Sequence, residues 1–224
     1  DASDTPLYED FLRIIRDRKI NVRVLSDRTA PREINGVTVR ILNPASSLSI
    51  PYASTLDSRV KDSPGLTSFA PSSSLRKDVR ESEEMNNRSL VIKLTFGTRS
   101  ILLPGDISSG TEQRLAQSSG NLNSDVLFMP HHGGFRSSTT PFLEKVNPRF
   151  AVVSCGFNNV FRLPHPDVLR RFEHLQSQVY RTDRDGAVTV ETDGKALRIR
   201  TFGLGIRGNN CFTFIIFVAL FSLV

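Results

Sequence analysis

Cysteine is scarce in this sequence of 224 residues, which contains only Cys155 and Cys211. Cys155 follows a strand-like run, whereas Cys211 precedes an apolar tail, so the two lie in unlike contexts. A disulfide framework is built from several cysteines at regular spacing, and this sequence does not indicate one. The two cysteines therefore indicate neither an oxidising nor a reducing compartment.

Long apolar runs are also missing. The segment Phe212–Val224 is apolar but shorter than the roughly 20 residues that a membrane-spanning helix needs. It follows a glycine-rich stretch, residues 203–210, that indicates a break in ordered structure. We expect residues 203–224 to be a cut membrane segment or a tail read out of frame, in preference to a docked strand. The chain begins at Asp1 without a basic and apolar leader, so we expect no signal peptide and interpret it as a fragment.

Blocks of like charge are absent too. The formal net charge is +6 and the sequence pI is about 9.7, which favours anionic partners. Because the lysines and arginines are scattered, this balance is only a mild indication of nucleic acid, and a solvated surface explains it about as well.

The apolar fraction of 38% is enough for one sizeable core, so one domain is expected. Apolar residues at helical spacing predict a helix over Pro6–Asp17, and two short runs predict strands at Val22–Leu25 and Val37–Leu42. Residues from about 45 to 86 are rich in serine and proline and show no period, which predicts a flexible insertion.

From Arg88 onward, strands and helices alternate, which predicts a layered α/β domain. The predicted strands are Leu90–Phe96, Ser100–Leu103, Asp125–Met129, Phe150–Ser154, Gln178–Arg181 and a final pair turned by Asp193 and Gly194. The predicted helices are Gly110–Gln117, Thr140–Val146 and Pro166–Gln176.

Asp106 follows one apolar strand, and the pair His131 and His132 follows the next. A carboxylate and imidazoles at neighbouring strand ends can converge on a divalent cation, so this pattern suggests a metal site. Asp106 taken alone is more commonly a helix cap. Since adjacent histidines can point to opposite sides, one is expected at a metal and the other in a supporting contact.

Further candidates lie on the loops that follow. Ser137 and Ser138 offer hydroxyls and free amides at a helix start, which suits either an anion site or simple capping. His165, held between two prolines, could ligate a metal, bind a phosphoryl oxygen or protonate a leaving group. His174 is predicted to be a surface or packing residue. The segment Arg181–Gly186 is first a turn, with nucleic-acid contact as a weak second interpretation.

Several motifs in register resemble the soluble C-terminal domain of the ComEC family, which comprises membrane proteins linked to uptake of transforming DNA. They are Asn87–Ile92, Leu102–Ile107, His131–Gly133, Pro164–Pro166 and Tyr180–Gly186. The resemblance covers about residues 1–202 and implies a metallo-β-lactamase-like αββα sandwich. The N-terminal part of that fold is missing here, together with the family's first metal-binding cluster, of the form His-x-Asp-x-Asp-His.

The resemblance implies roles for individual residues. Asp106 would match a metal-bridging carboxylate, His131 and His132 the second-half histidine motif, and His165 a histidine that contacts substrate. Some relatives carry a further histidine where this chain has Leu163. Any role of that histidine therefore does not carry over to this chain. Zn or Mn would be the cofactor of the intact domain, whereas this fragment, without the first metal-binding cluster, need not bind one.

Two functions from different classes follow from the resemblance. The first is metal-dependent hydrolysis of DNA phosphodiesters in the intact protein, weak or lost in this fragment, with Asp106 and His165 as catalytic residues. The alternative is a non-catalytic module that guides DNA, and another phosphoester substrate is also open. The expected partners are single-stranded DNA and the membrane channel domains of the same parent protein, which would place this domain outside the cytoplasmic membrane.

Overall fold

The computed structural model describes residues 6–46 and 85–202, in two compact units. Described residues 6–25 belong to the first unit, and the predicted helix forms as α1, Pro6–Asp17. The strand predicted at Val22–Leu25 is wrong, because residues 20–26 adopt no regular structure. A short β-branched run forms a strand only when a neighbour pairs with it, and no strand of the described residues does so.

The second unit contains a seven-stranded sheet in which spatial order follows chain order. Its first four strands pair in antiparallel fashion, and the fourth to seventh strands pair in parallel. The strands are β1 (Arg32–Ile34), β2 (Val37–Asn43), β3 (Val91–Phe96), β4 (Arg99–Leu103), β5 (Val126–Phe128), β6 (Phe150–Val153) and β7 (Gln178–Arg181).

Helices occupy the connections of the parallel half, and a hairpin completes the unit. The remaining elements are α2 (Ser109–Gln117), α3 (Thr140–Val146), α4 (Pro166–His174), the single turn α5 (Thr182–Asp185), β8 (Ala187–Thr192) and β9 (Leu197–Phe202). Every strand and helix predicted after Arg88 is confirmed to within one or two residues at each end. Alternating parallel strands and helices are confirmed as well, so the protein is a mixed α/β structure.

The large sheet buries apolar side chains on both faces. Leu102, Leu127 and Ala151 pack in the main core with the helices, whose Phe142 and Phe172 are fully buried. Their strand neighbours, which point the other way because side chains alternate along a strand, pack against the β8–β9 hairpin. The second cluster centres on Ile101, Val126 and Val152. This layering is consistent with an α/β sandwich, and the metallo-β-lactamase fold stays an expectation.

The ends of the segment between β2 and β3 meet at one buried amide. Asn43 donates to the carbonyl oxygens of Asn87 at 2.9 Å and Ser89 at 2.7 Å. The predicted insertion at about 45–86 lies largely outside the described residues, as does the predicted tail at 203–224. Within the described ranges, 6–46 and 85–202, we find no helix with the length and apolarity to span a bilayer.

Candidate functional site

Three loops at the carboxyl ends of the parallel strands hold the predicted site residues. The loop after β4 carries Asp106, the loop after β5 carries His131 and His132, and the loop after β6 ends at His165. The amide of His131 donates to the carbonyl of Gly105 at 3.1 Å. The amide of His165 donates to the carbonyl of Gly133 at 2.9 Å. The three loops are therefore joined through their backbones at one edge of the sheet.

Asp106 and His132 form the central pair of this edge. Oδ1 of Asp106 lies 3.8 Å from Nε2 of His132, and each side chain is about one-third exposed, at 32% and 35%. Nδ1 of His132 contacts the carbonyl oxygen of Ser154 at 2.8 Å. A carbonyl only accepts, so Nδ1 carries the proton of the neutral ring and Nε2 presents a lone pair to the carboxylate. The two groups repel each other unless a proton or a cation lies between them.

The two histidines have an uncommon backbone conformation. His131 has a φ of 49° and His132 a φ of 53°, and Gly133 continues the left-handed run with a φ of 76°. A non-glycine residue in this region costs about 1–3 kcal/mol and persists only where its surroundings impose it. The tight turn separates the two rings, and Nδ1 of His131 lies 3.4 Å from Nδ2 of Asn86. Among the described residues no three metal-binding side chains gather, so metal ligation by His131 stays a prediction.

His165 is fixed by both its backbone and its ring. It is the N-cap of α4, and its Nδ1 accepts from the amide of Asp167 at 3.2 Å. The neutral ring therefore carries its proton on Nε2, which makes that nitrogen a donor. The ring of Phe135 packs edge-on against it, with centroids 4.8 Å apart. A donor nitrogen is thus available at this position, and the metal-binding, substrate-binding and catalytic roles of His165 stay predictions.

Ser137 and Ser138 are buried. Oγ of Ser137 lies within bonding distance of the carbonyls of Pro130 and Gly134, whereas Oγ of Ser138 has no partner among the described residues. The amides of Ser138 and Thr139 donate to the carboxylate of Glu112, at 2.5 and 2.7 Å. The expectation of free amides here is therefore wrong, because a side chain from α2 already caps α3. Substrate binding by the two serines stays a prediction.

Glu112 supports the loop that follows the site histidines, and it was not identified from the sequence. It is fully buried, and burial raises the pKa of its carboxyl although the amides of Thr139 and Ser138 and the charge of Arg171 act against that shift. Arg171 donates to the carbonyls of Ser137 and Ser138 at 2.8 and 3.1 Å. The spacing was a usable signal, since Glu112 lies three and four residues before Leu115 and Ala116 on the buried face of α2.

A second polar cluster links the ends of β6 and β7. Asp183 accepts from Nε and Nη2 of Arg181 at 3.0 and 2.7 Å, and this contact lowers the pKa of its carboxyl. Sγ of Cys155 donates to the same carboxylate at 3.2 Å. Burial, then this hydrogen bond, raises the pKa of the Cys155 thiol.

Two further predictions are confirmed. The turn predicted at Arg181–Gly186 is present and contains α5, and His174 is exposed at the end of α4.

Comparison with known proteins identifies proteins to which this chain is similar. No family model matches the chain. It is 35% identical to ComE operon protein 3 of Bacillus subtilis over 103 residues, covering 46% of this chain and 13% of the relative.

Two further relatives are similar to the same degree. Competence protein ComA of Neisseria gonorrhoeae is 35% identical over 132 residues, which cover 57% of this chain and 19% of that protein. Recombination protein 2 of Haemophilus influenzae is 36% identical over 105 residues, which cover 47% and 13%. The matched part of this chain thus spans less than a fifth of the length of each of these relatives. All three are ComEC-family competence proteins, and each of them matches about half of this chain.

Proposed function

We propose that this chain handles DNA during its uptake, at the edge formed by Asp106, His132 and His165. One relative is named competence protein ComA, and a positive net charge of +6 suits a polyanionic partner. In this proposal the chain acts beside the membrane channel domains of a longer parent protein, outside the cytoplasmic membrane.

The observation that carries the proposal is the approach of Asp106 Oδ1 to His132 Nε2, which lie 3.8 Å apart. Carboxylate and imidazole together suit Zn or Mn, and such a cation supplies Lewis acidity and an activated water for phosphodiester hydrolysis. A catalytic zinc takes three protein ligands, whereas the described residues bring only these two together. The site is therefore incomplete in the described part of the chain, and hydrolysis by this chain alone should be weak or absent.

The protein's own groups have separable tasks in this proposal. The carbonyl of Ser154 holds the His132 ring with Nε2 towards the carboxylate. Nε2 of His165, which carries the proton of the neutral ring, can donate to a phosphoryl oxygen. The backbone around Ser137 and Ser138, fixed by Glu112 and Arg171, supports the loop that presents the histidines.

The incomplete cation site favours a second candidate function. In that alternative the chain does not cut DNA and only guides a strand along its basic surface. The two candidates differ in one observable, which is covalent cleavage of the strand, while both require that the chain binds DNA.

The test uses the full chain, purified and incubated with Mn or Zn. Bound metal is measured by elemental analysis, and cleavage of a labelled single-stranded oligonucleotide is followed on a gel. Asp106→Ala removes the central carboxylate, and Asp10→Ala on α1 is the matched control. Metal-dependent cutting that Asp106→Ala abolishes and Asp10→Ala preserves supports hydrolysis. Salt-sensitive binding without cutting supports guiding, and the absence of both binding and cutting overturns the proposed function.

A further inference from the structure

The loop between β6 and α4 exposes an apolar surface beside the candidate site. Phe157 and Val160 are each 87% exposed and Phe161 is 80% exposed, the highest values among the large apolar side chains of the described residues. Single exposed apolar residues are ordinary, but three within five consecutive residues of one loop make that loop a candidate binding surface.

This loop has a fixed shape, held by the side chain of Asn159. Its Nδ2 donates to the carbonyls of Gly156 at 3.0 Å and Leu163 at 2.8 Å, and its Oδ1 accepts from the amide of Leu163 at 2.9 Å. The amide of Arg162 donates to the Asn159 carbonyl at 3.0 Å. Because Asn159 makes four hydrogen bonds across the loop, the backbone that carries the exposed rings is held in one conformation. A surface ordered before binding loses less entropy when its ligand arrives.

Both ends of the loop are attached to the candidate site. Ser154 at its start is the partner of His132, and His165 at its end bonds to Gly133. The ring of His165 also packs against Phe135, which is 57% exposed. The exposed rings are therefore carried by the two loops that also present the site histidines.

The same two loops carry positive charge and no acid. Residues 131–140 and 154–165 contain Arg136 and Arg162, both exposed, and neither Asp nor Glu. Phe135 and Arg136 line a cavity of about 460 Å³ together with Arg171. Aromatic rings next to arginines suit a ligand that offers flat bases and anionic phosphates in alternation.

We propose that Phe135, Phe157 and Phe161 stack against the bases of a single nucleic-acid strand, while Arg136 and Arg162 hold its phosphates. The inference rests on the proposed function and goes beyond it, because it assigns base stacking and phosphate contact to particular side chains outside the Asp106 and His132 pair. Bases in a duplex are already stacked and paired, so their faces are not available to these rings. Rings flanked by arginines match the alternation of bases and phosphates along a strand, and a lipid surface is the competing ligand that the test below distinguishes.

The test measures binding of the full chain without added metal, by fluorescence anisotropy. Three ligands of equal length are compared: a mixed-sequence single strand, the same strand with abasic sites, and the duplex. The abasic strand keeps the phosphates and lacks the bases, so it isolates stacking. The wild-type chain should bind the normal strand at least tenfold more tightly than the abasic one. Phe157→Ser and Phe161→Ser should each lose about tenfold for the normal strand and little for the abasic one.

Two variants in the same loop serve as controls. Phe157→Tyr keeps a stacking ring and should retain affinity, whereas Val160→Ser removes an equally exposed aliphatic group and should change nothing. Equal affinity of the wild-type chain for the normal and abasic strands overturns the proposal. So does a loss caused by Val160→Ser as large as that of Phe157→Ser, or normal DNA binding by the phenylalanine variants together with lost binding to phosphatidylglycerol vesicles. Equal affinity for the normal and abasic strands would rule out stacking while DNA binding persists, so this inference can fail while the proposed function stands.

Discussion

Gly133 is the residue at which two motifs of the site touch. Its φ is +76°, and a Cβ added there would lie 2.5 Å from Cβ of Pro164. We expect Gly133→Ala to destabilise the protein by at least about 2 kcal/mol, because it imposes both backbone strain and a collision with a buried ring. Urea unfolding measures the change.

Gly156→Ala is the matched control for this substitution. Gly156 lies in the neighbouring loop, has no positive φ, and an added Cβ would have Asn159 Cβ at 3.9 Å as its nearest contact. Its midpoint of unfolding should stay within error of the wild type. If Gly133→Ala shifts the midpoint no more than Gly156→Ala, the close packing of the two motifs is refuted.

Cys155 should be a slow nucleophile. Burial and the hydrogen bond to Asp183 raise the pKa of its thiol, so little thiolate exists near neutral pH. In a Cys211→Ser background, iodoacetamide should label Cys155 at pH 7.5 more slowly than it labels an unstructured cysteine peptide. Equal rates for the folded chain and the peptide would contradict the burial and the hydrogen bond together.

Residue identities at the edge were largely predictable, whereas their orientations were not. Asp106, His132 and His165 follow apolar strands and lie at one edge, as strand ends predict. The left-handed turn through His131 and His132 depends on bonds from a different loop, so the local sequence does not encode it. Helical spacing places Glu112 on a buried face, but the amides from which its carboxylate accepts lie 26 and 27 residues along the chain, so no local pattern identifies those partners.

At the scale of elements, Glu112 connects α2 to the start of α3. Glu112→Ala would leave the buried amide of Ser138 and the partly buried amide of Thr139 without an acceptor. We expect a loss of about 2–4 kcal/mol in the free energy of unfolding. Glu144→Ala on the exposed side of α3 is the control and should be near neutral. Thermal or urea unfolding measures the stability of both variants. Equal stability of Glu112→Ala and Glu144→Ala would disprove the capping role.

The same residue predicts a pH dependence. Since burial raises the pKa of folded Glu112, its protonated form is favoured by folding. The stabilisation that this shift gives the folded protein is fully present below the ordinary pKa of glutamate. It is lost as pH rises through the raised pKa of folded Glu112. Glu112→Gln mimics the protonated side chain at every pH. The free energy of unfolding of the wild type, relative to Glu112→Gln, should therefore fall as pH rises through this window, and a constant difference would contradict the shift.

Helices and strands after Arg88 were predictable because apolar periodicity and packing agree there. Leu102, Leu127 and Ala151 fall on one face of their strands and meet the apolar faces of the helices. The failure at Val22–Leu25 has the opposite cause. A four-residue run with three apolar residues has strand character but no periodicity long enough to specify a partner.

At the scale of the whole molecule, the layers follow from strands that are apolar on both faces. The alternation of strands and helices predicts a layered α/β domain and the family resemblance implies a sandwich; the structure packs helices on one face of the large sheet and the β8–β9 hairpin on the other. Whether a third or fourth metal ligand joins Asp106 and His132 does not follow from this layering. It depends on donors outside the pair, and metal titration of Asp106→Ala against Asp10→Ala measures the contribution of the pair itself.

The net charge of +6 offers two explanations for DNA binding, and salt dependence separates them. If the whole surface attracts DNA, removal of any exposed arginine should weaken binding about equally. If the strand lies on the loops of the candidate site, only arginines there release counterions from its phosphates. Each such contact contributes about 0.7 to the slope of log K against log salt for a single strand.

We expect the double variant Arg136→Ala and Arg162→Ala to reduce that slope by about 1.4, the sum of two contacts. Arg13→Ala, which removes an exposed arginine of α1, should leave the slope unchanged. The measurement is anisotropy of a labelled single strand between 50 and about 300 mM salt, a range over which such contacts weaken strongly. Equal reductions per arginine in both variants would mean that DNA meets a diffuse positive surface, and the localisation of binding to this edge would be lost.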